Sequence, residues 1–142
     1  MTIIDASVVN KLFLPNEAGR EDALAILKKH IQKKDNIMVP DLLFYEVANT
    51  LATKTSIPAK QVTISLSKLD KMNLNIFHPS LESIKKAAIL AKEHNVSVYD
   101  AVYAVAAAEK KCNLITADEK FIARINLSYV LNLSNFPLSS KS

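Results

Sequence analysis

Short runs of β-branched and apolar residues alternate with longer stretches in which apolar side chains return every three or four positions. Thr2 to Ile4, Ile37 to Val39, Leu74 to Phe77, Leu114 to Thr116 and Tyr129 to Leu133 read as strands. Asp22 to Lys34 reads as a helix with Ala23, Leu24, Leu27 and Ile31 on one face and lysines opposite. Asp41 to Lys54 carries Leu43, Val47 and Leu51 at helical spacing, after Pro40 at a helix start. Ala59 to Met72 offers Val62, Leu66 and Leu69, and Leu81 to His94 offers Ile84, Ala88 and Ala91. Ser97 to Lys111 is alanine-rich and helical, and a short turn follows Asp118. Strands alternating with helices predict an α/β fold with a mainly parallel, about five-stranded sheet covered on both faces. Residues 1–133 form the predicted single domain and 134–142 a frayed tail.

Composition narrows the chemistry. The chain has 142 residues, 49% hydrophobic and 23% charged, which suits one domain with a real core. Its one glycine, Gly19, excludes both the phosphate-binding P-loop and the dinucleotide fingerprint. One cysteine, Cys112, excludes a disulfide framework and a cysteine-rich zinc site. His30, His78 and His94 lack zinc-protease spacing, and no serine-hydrolase elbow is present. The N-terminal residues lack a basic, apolar leader, and the longest apolar run, Ala101 to Ala108, is short of the roughly 20 residues a spanning helix needs. The expectation is a cytoplasmic protein with no membrane association.

In open α/β sheets, ligands bind beyond the carboxyl ends of the strands. Four carboxylates fall there. Asp5 ends the first strand and Asp118 follows the fourth. Glu46 lies in the helix after the second strand, and Asp100 starts the alanine-rich helix. Each has a structural alternative: Asp5 and Asp118 as helix caps, Ser97-x-x-Asp100 as a capping box, Glu46 as a solvated side chain. Together they converge on one sheet end, where two carboxylates about 4 Å apart repel by about 4 kcal/mol at an effective dielectric near 20. No lysine, arginine or histidine recurs beside them to neutralise that charge. One or two Mg²⁺ or Mn²⁺ ions would, since hard oxygen donors without Cys or His suit these cations rather than Zn²⁺. The chemistry suggested is phosphodiester hydrolysis by a metal-activated water.

From Thr2 to about Leu133 the chain resembles the PIN-domain proteins, most closely the VapC-type toxin ribonucleases of toxin–antitoxin pairs. The carriers are Ile4-Asp5-Ala6-Ser7 with Lys11 a turn later, and Val39-Pro40 leading to Glu46-Val47-Ala48-Asn49. Tyr99-Asp100-Ala101 and Thr116-Ala117-Asp118 with Phe121 complete the set. The resemblance implies a three-layer α/β/α fold, metal-dependent endoribonuclease activity, a homodimer and a cognate antitoxin. It implies that Asp5, Glu46, Asp100 and Asp118 form the catalytic metal site, supported by the hydroxyls of Ser7 and Thr116. Asn49, one turn from Glu46, either positions substrate or packs as a buried amide. Family members often carry a glycine before the fourth strand; here Asn113 is expected to take the left-handed turn instead.

Charge then bears on substrate. The formal net charge is +4, and setting the four site carboxylates against cations leaves eighteen basic residues facing ten acids, or +8. A positive rim around a metal-filled pocket suits an RNA backbone, with Lys11, Lys54 and Lys120 as candidates. With no tryptophan and 6% aromatics, no stacking platform for bases is evident. The alternative function is a non-catalytic PIN-fold module that binds RNA or protein. A phosphoacceptor receiver fits worse, because Ala6 follows Asp5 and the third strand ends in His78-Pro79. A flap-type DNA nuclease would need DNA-binding additions for which the chain leaves little room.

Overall fold

A computed structural model describes residues 1–14 and 17–136. Five strands form the sheet: β1 (Thr2–Ile4), β2 (Ile37–Pro40), β3 (Asn75–Phe77), β4 (Asn113–Thr116) and β5 (Val130–Asn132). They lie in the order β3-β2-β1-β4-β5, every neighbouring pair parallel. Thr2 pairs with Ile37 and Asn113, and Ile4 with Ile115. Parallel strands are buried on both faces, and here Ile3, Ile4, Leu114 and Ile115 are wholly enclosed.

Seven helices connect the strands among the described residues. They are α1 (Ala6–Phe13) and α2 (Arg20–Ile31) before β2, and α3 (Leu42–Thr53) and α4 (Ala59–Lys71) before β3. Then α5 (Leu81–His94) and α6 (Val98–Lys110) precede β4, and α7 (Glu119–Ile125) precedes β5. Helix α1 packs on α2 and α3, α3 packs on α4, and α5 pairs with α6. The connection from β3 to β4 runs back past β2 and β1, so right-handed crossovers put α5 and α6 on the face opposite α1–α4. This is the three-layer α/β arrangement that the sequence predicts.

Several local expectations need correction. Ala6–Phe13 forms a helix that the periodicity reading does not single out. In α2 the buried face is Ala23, Ile26 and Leu27, while Leu24 and Ile31 are exposed. In α5 the small residues Ala87 and Ala91 face inward, letting α6 approach closely, and Ile84 and Ala88 are exposed. The expected Leu43, Val47 and Leu51 face of α3 is fully buried. Lys111, not Asn113, takes the left-handed conformation (φ 55°); it ends α6, and Asn113 already belongs to β4. The chain also stays ordered past Leu133, through a 3₁₀ turn at Leu133–Asn135 and Phe136 packed on the core. The rest of the predicted tail, 137–142, lies outside the described residues.

Candidate active site

The topology delivers the four carboxylates to one end of the sheet. Asp5 is the first residue beyond β1 and caps α1, its Oδ1 accepting the Ser7 N–H at 3.0 Å. Asp118 lies two residues beyond β4 and caps α7, its Oδ1 accepting the Phe121 N–H at 3.0 Å. Glu46 stands in the second turn of α3. Asp100 stands in the first turn of α6, its N–H donating to Ser97 Oγ at 3.0 Å. For Asp5 and Asp118 the capping role and the convergent role therefore coincide, because strand ends and helix starts meet at this edge. Asp5, Ser7, Glu46, Asn49, Lys54, Asp100 and Asp118 line one cavity of about 250 Å³, with Asn10 and Thr50.

Hydroxyls fix the geometry of Asp5. Ser7 donates its single proton to Asp5 Oδ1 at 2.5 Å and accepts the Ala117 N–H at 2.8 Å. Ser7 Oγ is also 3.2 Å from Thr116 Oγ1, within hydrogen-bond reach. Thr116 Oγ1 in turn accepts the Asp118 N–H at 3.1 Å. One chain of hydrogen bonds thus joins Asp5 to the start of α7.

Burial sets the electrostatics. Asp5 is 5% exposed, and desolvation pushes its carboxyl up to about 7, against the Ser7 and Thr116 hydroxyls and with help from the charge of Asp100. Glu46 is raised by desolvation and by Asp100, partly offset by a hydrogen bond from Tyr103. Asp100 is raised by desolvation and by Asp118, partly offset by Ser97. Asp100 is therefore the hub, coupled to each of the other three. Among the described residues, ion pairs engage Glu17, Asp35, Asp41, Glu82 and Glu109, leaving the four cavity carboxylates without a paired cation.

Among the described residues, no three His, Cys, Asp or Glu side chains stand so as to enclose an ion unaided. The donor set is nonetheless all oxygen, carboxylate and hydroxyl. That suits Mg²⁺, which is commonly held by one or two carboxylates and keeps several waters. It does not suit Zn²⁺, which favours nitrogen and sulfur donors in a closed tetrahedron.

The candidate cations scatter. Lys54 lines the acidic cavity. Lys120 lines a neighbouring one that shares Asp100 and Asp118. Lys11 points elsewhere, its Nζ 3.5 Å from Glu17 Oε1. The chain's net positive charge is concentrated in two segments. Segments 28–36 and 68–73 hold six lysines against two aspartates, which equals the whole chain's net +4. Lys33, Lys34 and Lys71 from these segments line a larger cavity of about 690 Å³, where the chain enters the sheet rather than where it leaves.

Sequence reasoning missed Tyr103, Asn10 and Thr50. Tyr103 is 1% exposed and donates its hydroxyl to Glu46 Oε1 at 2.7 Å, tying α6 to α3. A tyrosine on an alanine-rich, buried helix face one turn from Asp100 was a legible signal, since a buried phenol needs a polar partner. Asn10 and Thr50 approach across α1 and α3, Nδ2 to Oγ1 at 3.5 Å, and Asn10 Oδ1 is buried with no hydrogen-bond partner among the described residues. Thr50 follows Glu46 by one turn of α3, and Asn10 lies on α1, which Asp5 caps.

The model of the PIN domain family matches residues 2–126. Ribonuclease VapC3 of Pyrobaculum aerophilum is 29% identical over 131 residues, covering 87% of this chain and 96% of that protein. The crystal structure of Mycobacterium tuberculosis VapC20, a sarcin-ricin loop cleaving toxin, superposes with a TM-score of 0.68 at 15% identity, covering 92% of this chain and 97% of that one. A toxin–antitoxin complex from Klebsiella pneumoniae gives 0.66 at 18% identity, covering 94% and 98%. With the family match spanning both halves of the acidic set and the fold shared along nearly its whole length, the chain belongs to the PIN domain family.

Proposed function

We propose that the protein is a Mg²⁺- or Mn²⁺-dependent endoribonuclease, the toxin of a toxin–antitoxin pair, acting in the cytoplasm as a homodimer. The observation that carries the reading is the convergence of Asp5, Glu46, Asp100 and Asp118, from four separate elements, on one cavity, with no paired cation among the described residues. The similarity to VapC3, a ribonuclease, supports RNA as substrate, and the likeness to toxin–antitoxin complexes supports an antitoxin partner.

Asp5, Glu46, Asp100 and Asp118 would hold a divalent ion, which would supply Lewis-acid chemistry for water and phosphate. The chain's own residues do the rest. Ser7 and Thr116 hold Asp5 in one orientation. Tyr103 aims Glu46 from within the core. Asp100 and Asp118, at the helix starts of α6 and α7, present carboxylates along the cavity's edge. Lys54 offers a charge to the RNA backbone, and Asn49 an amide one turn from Glu46.

The test is incubation with a mixed cellular RNA pool in Mg²⁺ or Mn²⁺, with an EDTA control. Discrete fragments that vanish with EDTA are expected; intact RNA from antitoxin-free protein would reject the nuclease reading. Copurification from the native operon tests the partner, and an acidic cavity left uncovered in the complex would count against inhibition at the site.

A further inference from the structure

The acidic cavity does not end at its carboxylates. Asp100 and Asp118 are a shared ridge, and beyond them lies a second cavity of about 400 Å³. Its walls carry Lys120 and Arg124, one turn apart on α7, with Asn95 and Ser97 opposite. Arg124 is held in place: one Nη donates to the Asn95 carbonyl at 3.2 Å, and His94 Nδ1 lies 3.2 Å from the Arg124 carbonyl oxygen. A guanidinium has five N–H donors, so the remaining edge stays available to a ligand. The basic and acidic residues of the whole chain outside segments 28–36 and 68–73 balance, twelve against twelve. A lysine and an arginine together beside the acidic ridge are therefore a local feature rather than a share of a general positive surface.

We infer that the Lys120–Arg124 cavity is a phosphate subsite, holding the backbone one step along the strand from the phosphodiester that lies on the Asp100–Asp118 ridge. Lys54, which lines the acidic cavity and not the second one, takes the backbone on the other side. The resulting track, cation then carboxylates then cations, fits an extended single strand. Paired arginine and lysine suit a phosphate, the guanidinium as a fork and the ammonium as a point charge. The inference rests on the ribonuclease reading and adds the direction in which the substrate runs.

The test uses the intact protein and a short cleaved RNA in which each linkage around the cut is replaced, one at a time, by an uncharged methylphosphonate. Lys120→Ala is expected to raise KM about tenfold with a far smaller effect on kcat, and to lower the salt slope of binding by about 0.7. Arg124→Gln is expected to do the same, with Arg124→Lys recovering part of the loss. Thermal melting separates these effects from any loosening of the Asn95 contact. Neutralising one linkage on one side of the cut should leave Lys120→Ala with no further penalty, and a linkage on the other side should behave so with Lys54→Ala. Additive losses at every linkage, or an unchanged KM in both α7 variants, overturn the subsite while leaving the nuclease reading intact. Absence of cleavage by the wild-type protein on every RNA overturns the nuclease reading and the subsite with it.

Discussion

Replacing Asp5 by asparagine should stabilise the metal-free protein at neutral pH. Enclosure pushes the Asp5 carboxyl from 3.8 to about 7, so the unfolded chain releases this proton near pH 4 and the folded chain only near pH 7. Stability from this group is whole below about pH 4 and falls as pH rises through 7. The difference corresponds to about 4 kcal/mol. Asparagine keeps the oxygen that caps α1 and accepts from Ser7, and carries no charge to desolvate. Against the gain stands the loss of a carboxylate at a helix N-terminus, worth about 0.3–1 kcal/mol. The net expectation is a variant about 3 kcal/mol more stable than wild type at pH 7.5 and equal to it near pH 4. Urea unfolding in EDTA across this range reads the difference directly. Taking the difference matters, because Asp35, held below its ordinary range by the N-terminal ammonium and Thr2 against its own burial, gains stability in the opposite sense. Equal stability at pH 7.5, or a difference that does not grow with pH, would refute the claim that Asp5 is buried as a strained anion.

Tyr103→Phe should leave the fold intact and lower cleavage about tenfold. It removes a group that holds the Glu46 carboxyl down, so the acidic limb of the pH–rate profile should move to higher pH. Ser7→Ala leaves the Ala117 N–H and Asp5 without their partner and should cost about 2 kcal/mol in denaturant unfolding. Leu43→Ala, at a wholly enclosed position of α3, should cost about 2–5 kcal/mol by the same measurement.

The fold was legible where periodicity and burial agree. Helix α3 reads cleanly because Leu43, Val47 and Leu51 form one enclosed stripe. Helix α5 misled because its inward residues are alanines, chosen by the close approach of α6, while its isoleucines lie outside; only tertiary packing makes that choice. Asp5, Asp100 and Asp118 were legible because each sits just past a strand or at a helix start, places that are marked locally, and Glu46 because it stands among apolar neighbours in α3. Tyr103 was marked only by its place one turn from Asp100, since in an alanine-rich stretch a core aromatic and a buried hydrogen-bond donor otherwise look alike. The charge distribution was not readable from net charge, because lysines distant in sequence, Lys33 and Lys71, gather where α2 and α4 end.

The most direct test of the acidic cavity as one catalytic unit is cleavage of a single defined RNA by four variants. These are Asp5→Asn, Glu46→Gln, Asp100→Asn and Asp118→Asn, each compared with the quadruple variant in saturating Mg²⁺. Groups that act as a unit are grossly non-additive. Asp100→Asn alone, at the hub of the four carboxylates, is expected to lose nearly as much activity as the quadruple variant. Small losses that add across the four, or full cleavage by Asp100→Asn, would contradict it.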